Sequence, residues 1–172
     1  IRNSVKAIVD PYNGNLKLYI TEKDDPIIKA WKSLFPSLFN DIEDMPKPLR
    51  DHLRVPSELF ELQVKQLLRY HITDPVAFYN GDDIWEVPNE IYGERELEVK
   101  PYHITSDIIN RGKSEFLLVQ PLSPLSRPTL VALVISRNDG NNLGDIYLYT
   151  FSSQSTVFGN NSIGGSISLK SN

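Results

Sequence analysis

The run from Thr129 to Ser136 constrains the fold most, because its six inner residues, Leu130 to Ile135, are all apolar. A strand with one face in water alternates apolar and polar residues, whereas a strand covered on both faces reads as a continuous apolar run. The run is short and its residues are largely β-branched or aliphatic. It therefore predicts a central strand of a sheet that is buried on both sides.

Strand periodicity also predicts the neighbours of this run. It covers Val99 to Ile109, Phe116 to Gln120 and Asp145 to Phe151. Asn138-Asp139-Gly140 supplies a turn between the central run and the last of these strands. We therefore expect those two strands to form an antiparallel pair.

The first part of the chain predicts a β-hairpin. Apolar residues alternate from Ser4 to Asp10 and again from Leu16 to Thr21, with Asn13-Gly14 between the two segments. Asn-Gly readily adopts the positive φ that tight hairpin turns require. This combination predicts two antiparallel strands.

Helical signals dominate the middle of the chain. Asp25-Pro26 and Asp74-Pro75 each place an N-cap residue before a proline at the first helical position. Apolar residues recur at helical spacing after Asp25 as far as Pro36, and again from Ser57 to His71. A short helical piece is expected at Pro48 to Arg54 between these two helices.

Two stretches carry weaker patterns. Asp82 to Glu98 holds seven acidic residues against one basic residue, and predicts a solvated connector anchored by Trp85 and Tyr92. The end of the chain, Ser152 to Asn172, is rich in Ser, Asn and Gly and predicts a loose tail or linker. Alternation of apolar residues within that tail leaves a last short strand open; the residues are Ile163, Ile167 and Leu169.

The order of these elements predicts the fold class. Strands, then helices, then strands without βαβ alternation indicate an α+β domain with a mostly antiparallel sheet. We expect one domain over residues 1–151, made of an N-terminal β-hairpin, a helical middle and C-terminal strands, followed by a tail at 152–172. The chain begins at Ile1 without an initiator Met, so we expect it to be part of a longer polypeptide.

Composition excludes several function classes. The chain has no cysteine, which removes disulfides, thiolate-bound zinc, iron–sulfur clusters and a cysteine nucleophile. A net charge of −4 argues against nucleic acid as a partner. The longest apolar run, Leu130 to Ile135, is far shorter than a membrane span. The glycine-rich patterns that cradle nucleotides are absent from the sequence, and no cofactor is expected.

The three histidines are the first candidates for a metal site or a general base. His52, His71 and His103 show none of the short spacings typical of zinc ligands, so we predict no metal site built on them. His71 would end the long helix, where a positive charge complements the helix dipole. This placement favours a structural role for His71.

The acidic residues Asp82, Asp83 and Glu86 are the calcium candidates, because carboxylate oxygens from a flexible loop are ligands that Ca²⁺ prefers. Their spacing does not match an EF-hand, and most acidic loops are simply solvated. Nucleophile motifs are also weak, since Gly164 to Ser168 lacks the final glycine of a nucleophile elbow. The residues therefore favour a protein that is not an enzyme, and we assign no catalytic residue.

Several stretches together carry a resemblance to one known family, in order and over about residues 1–151. They are Arg2 to Ala7 with Val9-Asp10 and Tyr12 to Gly14, Asp25 to Trp31 with Phe35-Pro36, His52 to Pro56, and Tyr70 to Pro75 through Phe78 to Asn80 to Trp85 to Pro88. The chain resembles uncharacterised protein family 0182, large multi-span membrane proteins of bacteria and cyanobacteria. The resemblance implies a bundle of transmembrane helices followed by a large region outside the cytoplasm, of which this chain would be a part. It implies no reaction and no site residues, and the Ser/Asn/Gly-rich tail departs from the apolar continuation of the family.

Three hypotheses for function follow. The first is an extracytoplasmic binding or scaffolding module of a multi-pass cell-membrane protein, which meets an envelope component or a partner protein. The second is a cell-envelope hydrolase that uses carboxylates at 82–86 with His71 or His103. The third is a ligand-sensing domain of a transporter-like membrane protein.

Overall fold

The computed structural model describes residues 3–109, 112–127, 129–151 and 157–158. Its strands and helices confirm an α+β protein. The chain divides into two compact units, residues 1–53 and 54–172, and each is described by itself. The assignment of residues 1–151 to one domain stays a prediction, as does the loose tail at 152–172.

Unit 1 begins with the predicted hairpin. Strands β1 (Val5–Val9) and β2 (Leu16–Ile20) pair antiparallel, with Val5 opposite Ile20. Gly14 turns the chain between them at a φ of +71°, a region that glycine enters without steric cost. A third strand, β3 (Phe39–Asp41), joins β2 in parallel.

The helices of unit 1 are short. Helix α1 (Pro26–Leu34) starts as predicted, because the Asp25 carboxylate accepts the N–H of Ile27. A 3₁₀ turn (Ile42–Asp44) and helix α2 (Lys47–Arg50) follow β3, so the helical piece expected at 48–54 is shorter and begins earlier.

Unit 2 opens with the long helix α3 (Ser57–Tyr70), which His71 terminates. Helix α4 (Pro75–Asn80) follows, and the Asp74 carboxylate caps it by accepting the N–H groups of Val76 and Ala77. Both elements confirm the helical reading of this part of the sequence.

The main sheet of unit 2 is antiparallel throughout. Strand β8 (Glu115–Pro124) pairs with β10 (Ala132–Arg137) on one side, and with both β7 (Tyr102–Ser106) and β4 (Trp85–Glu86) on the other. Strand β11 (Ile146–Thr150) pairs with the free side of β10. The predicted central strand is therefore internal, and its predicted antiparallel partner is β11.

The acidic stretch corrects one expectation. Strands β5 (Asn89–Tyr92) and β6 (Arg95–Glu98) form an antiparallel hairpin inside the segment expected to be a connector. The side chains of β6 are all exposed, so charge hides the strand pattern in the sequence. Trp85 is buried as expected, whereas the side chain of Tyr92 lies outside the described part of the structure.

Two very short strands complete the described fold. Strand β9 (Thr129–Leu130) precedes β10 directly and pairs with β12 (Val157–Phe158). Strand β12 therefore lies inside the segment expected to be a loose tail. Ile163, Ile167 and Leu169 lie outside the described residues.

The core of unit 2 has one apolar layer on each face of the sheet. Helix α3 covers one face with Phe60 and Val64, which pack on alternate sheet residues; these are Leu118, Leu122, Ala132 and Val134. The intervening residues Leu117, Val119, Leu133 and Ile135 form the second layer, against which Tyr102, Ile104 and Ile108 pack. Two layers explain why β10 is apolar at each position from Ala132 to Ile135. In the part of the chain that the structure describes, no helix has the length and apolar character needed to cross a bilayer.

Candidate functional site

His71 is held at the end of α3 by one hydrogen bond and one ring contact. Its Nδ1 lies 2.9 Å from the carbonyl oxygen of Leu67. Its ring stacks on Trp85 with the centroids 3.6 Å apart, and its side chain is 9% exposed. Because a carbonyl oxygen only accepts, Nδ1 must carry a proton, and Nε2 of the neutral ring is then a lone-pair acceptor.

Asp83 faces this nitrogen from the turn after α4. Its Oδ2 lies 3.8 Å from His71 Nε2, and its side chain is 70% exposed. Asp83 has a φ of +57°, in the left-handed region that few residues other than glycine adopt. The pair is an ion pair when His71 is protonated, whereas in the neutral ring the Nε2 lone pair faces the carboxylate.

The other two calcium candidates take no part in this pair. Glu86 accepts the N–H of Ser126 at 2.8 Å and so ties β4 to the turn after β8. Asp82 donates its backbone N–H to Ala77. In the described ranges no group of three or more His, Asp or Glu side chains is placed to hold a metal ion. Asp82, Asp83 and Glu86 are therefore close in sequence without forming a shared ligand set there.

His103 and His52 have separate surroundings. The His103 ring lies parallel to Phe116 on β8, with the centroids 4.8 Å apart, and the guanidinium of Arg54 lies 5.2 Å from the centre of the same Phe116 ring. His52, in unit 1, contacts the carbonyl oxygen of Pro48 through Nδ1 at 2.6 Å. The hydrolase hypothesis paired the carboxylates with His71 or His103, and the described structure brings together only His71 and Asp83.

A buried polar group at the ends of β8 and β10 was missed by the sequence analysis. Arg137 donates from Nη2 to Glu115 at 2.6 Å, and both side chains are largely buried. The Asn138 side chain accepts the N–H of Val55 at 2.7 Å, and Asp139 accepts the N–H of Phe116 at 2.7 Å. The sequence signal for this ion pair was an acidic residue, Glu115, at the start of β8 and a basic residue, Arg137, at the end of β10. These contacts hold the turn that follows β10, and they indicate a structural role for Glu115, Arg137 and Asn138.

Helix α1 carries the clearest candidate interaction surface of unit 1. None of its residues is buried, although its apolar side chains fall on one side. Trp31 stacks on Phe35 with the ring centroids 5.7 Å apart. The exposed apolar residues here, which we call the α1 face, are Ile27, Trp31, Leu34, Phe35 and Leu38.

Comparison with known proteins identifies the family. The family model described as Uncharacterised protein family (UPF0182) matches residues 1–172. No solved structure matches the chain.

Curated relatives match over nearly the whole chain. A UPF0182 protein of Prochlorococcus marinus strain MIT 9303 is 55% identical over 159 residues, which are 92% of this chain and 17% of that protein. One of Parasynechococcus marenigrum strain WH8102 is 53% identical over 92% of this chain and 18% of its own length. One of Microcystis aeruginosa is 45% identical over 95% of this chain and 17% of its own length. The chain thus spans about a sixth of the relatives it matches, and it belongs to the uncharacterised protein family UPF0182.

Proposed function

We propose that this chain is a binding or scaffolding module of a larger membrane protein, on the extracytoplasmic side of the cell envelope. The larger protein would reach the membrane through segments outside this chain. The module would bind an envelope component or a partner protein. The observation that carries the proposal is the α1 face, where five large apolar side chains, two of them in a Trp–Phe stack, meet solvent.

The sequence of α1 is better suited to binding than to a free surface. An isolated helix of nine residues is marginal in water, and helices of this length are normally stabilised by packing an apolar face. The opposite side of α1 is polar, with Lys29 paired to Asp24 and Lys32 paired to Asp41, each at 2.9 Å. Contiguous exposed apolar patches mark interaction sites, and Trp and Phe are typical anchors of such sites.

The geometry around His71 supports this reading over the hydrolase. A general base needs a nitrogen within hydrogen-bond reach of substrate. His71 Nδ1 is engaged by Leu67, and Nε2 is closed off from solvent. The pairing with Asp83 at 3.8 Å is the one observation in favour of the hydrolase, and catalysis there would require the 81–86 turn to open.

Surface labelling of the full-length protein tests the location. Tyr12 lies at the tip of the hairpin and is 99% exposed, and the chain has no cysteine of its own. With any other cysteine of the polypeptide replaced, Tyr12→Cys should react with a membrane-impermeant maleimide in intact cells. Labelling that requires lysis of the cells would contradict the extracytoplasmic assignment.

Photo-cross-linking tests the binding surface. A photoreactive phenylalanine analogue at position 31 of the full-length protein should cross-link in cells, and the same analogue at position 12 is the control in the same unit. The Leu34 side chain is 70% exposed, so Leu34→Ser should not unfold unit 1. The same substitution should reduce the cross-linking at position 31. Equal yields at positions 31 and 12 would remove the support for a binding role of the α1 face.

A further inference from the structure

We propose that the outer edge of β11 is completed in the full-length protein by a β-strand from the part of the same polypeptide that lies outside this chain. The proposal concerns unit 2 and does not rest on the α1 face. It would make the main sheet one strand wider than the described residues make it.

The side chains of β11 do not suit a sheet edge in water. Ile146, Tyr147, Leu148 and Tyr149 are consecutive and are 40% to 47% exposed, so large apolar groups meet solvent on both faces of the strand. Edge strands in water usually carry lysine, proline or other charged residues that block further pairing. A strand that is apolar at consecutive positions is typical of the interior of a sheet, as β10 shows.

Both apolar layers of unit 2 continue onto β11. Leu148 lies opposite Val134 and therefore extends the layer covered by α3. Tyr149 lies opposite Leu133 and extends the second layer. Val134 and Leu133 on β10 are buried, whereas their partners on β11 are exposed. Each apolar layer therefore continues onto β11, but the groups that cover the layer reach only as far as β10.

Among the described residues, the backbone of β11 presents hydrogen-bonding groups at defined positions on the side away from β10, where no further strand pairs. Arg137 donates its N–H to Asp145, and Phe151 donates its N–H to Val131, both at 2.9 Å. Residues on an antiparallel strand alternate between bonding inward and outward. Leu148 is an odd number of residues from both Asp145 and Phe151, so its N–H and C=O point away from β10. In the part of the chain that the structure describes, β11 is the last strand of the sheet.

The remaining polypeptide is the occupant that these observations favour. The matched region makes up 17% of the length of the Prochlorococcus marinus relative, so most of such a protein lies outside it. A segment in the same polypeptide binds at a high effective concentration, which a single added strand needs because it makes few contacts. Pairing of β11 with β11 of a second copy would use two five-residue strands, which fall short of the roughly 1,200 Å² typical of a stable specific interface.

Site-specific cross-linking in the full-length protein tests the occupant. A photoreactive phenylalanine analogue replaces Tyr149, and the same analogue replaces Tyr79 on α4 as a control of the same residue type, 88% exposed. The expected product is an intramolecular cross-link from position 149 to a peptide outside residues 1–172, at a yield well above that from position 79. A cross-link to residues 152–172, to a second copy or to lipid would overturn the proposal, as would a yield no higher than the control.

Removal of one backbone donor tests the mode of pairing. Replacement of Leu148 by its α-hydroxy analogue deletes the outward N–H and keeps the side chain, and it should abolish the cross-link from position 149. Leu148→Ala, which keeps the N–H, should retain the cross-link. Leu148→Pro should act like the hydroxy analogue, because proline at an outward position leaves the bonds to β10 intact. Cross-linking that survives loss of this N–H would overturn strand addition.

Discussion

The two units of this chain use the same α+β elements but are stabilised differently. Unit 2 has a sheet with an apolar layer on each face, whereas unit 1 buries only a few large apolar side chains among its described residues; these are Tyr19, Ile20 and Met45. Unit 1 also contains polar contacts between side chains. The Ser4 hydroxyl donates to the buried Asp25 carboxylate, and Lys23 pairs with Glu43 at the surface.

The helices show what this difference means. Helices α1 and α3 are both amphipathic, yet α3 buries Phe60 and Val64 whereas α1 buries none of its residues. An apolar stripe on a helix therefore has two uses in this chain. In unit 2 it covers the sheet of the unit itself, and in unit 1 it is exposed.

Truncation of the core should have the largest effect. Phe60→Ala removes a fully buried ring from between α3 and the sheet, and it should lower the free energy of unfolding by about 3–5 kcal/mol. Leu34→Ala on α1 should change it by less than about 0.5 kcal/mol, because this side chain is exposed. Urea denaturation of the purified chain measures both values. Similar losses for the two variants would show that α1 packs as α3 does.

The two Asp-Pro helix starts allow a matched test between the units. Asp25→Ala removes a cap and also leaves the buried Ser4 hydroxyl without this acceptor, so it should lower the free energy of unfolding by about 2 kcal/mol. Asp74→Ala removes an exposed cap and should cost about 1 kcal/mol.

Asp25→Asn keeps an acceptor for the helix and should recover part of the loss at that position. The same urea experiment distinguishes these cases. Equal costs at positions 25 and 74 would mean that the contact between Ser4 and Asp25 adds nothing to unit 1.

The smallest effect concerns acid pH. Hydrogen bonds from Lys65 and Lys100, at 2.9 and 3.0 Å, hold the pKa of the Glu61 carboxyl below its ordinary value of 4.5. A pKa lowered in the folded state adds stability that is present above about 4.5 and is lost as the pH falls through the folded pKa. For exposed pairs the amount is under about 1 kcal/mol.

Glu61→Gln should therefore reduce the pH dependence of unfolding below pH 4.5 in unit 2. Asp41→Asn offers the matching change in unit 1, since a hydrogen bond from Lys32 lowers the pKa of the Asp41 carboxyl. Thermal melts over the acid range, at low and high salt, measure both variants. A steeper pH dependence after Glu61→Gln would contradict the assigned direction.

Local signals in the sequence were enough for many elements. Asn13-Gly14 predicted the hairpin, the two Asp-Pro pairs predicted the starts of α1 and α4, and the run before Arg137 predicted a central strand. Each of these signals acts over a few neighbouring residues, through φ preferences, capping or side-chain alternation. Such effects can be predicted from the sequence because the residues that interact are close together along the chain.

The candidate site was only partly predictable for the opposite reason. His71 and Asp83 were both singled out, but their approach depends on the turn that α4 and Gly81 impose between them. The contact between Glu115 and Arg137 joins residues 22 positions apart, and no local pattern reports it. The hairpin of β5 and β6 was hidden because all four side chains of β6 are exposed and three of them are charged.

The sequence by itself determined the first hairpin, the starts of α1 and α4, the apolar stripes of α1 and α3, and that β10 lies inside a sheet. Only the tertiary structure decided which apolar faces are covered. The stripe of α3 is buried against β8 and β10, whereas the α1 face and the outer edge of β11 are exposed. Periodicity reports that a face avoids water, but what covers that face depends on contacts between residues far apart in the chain.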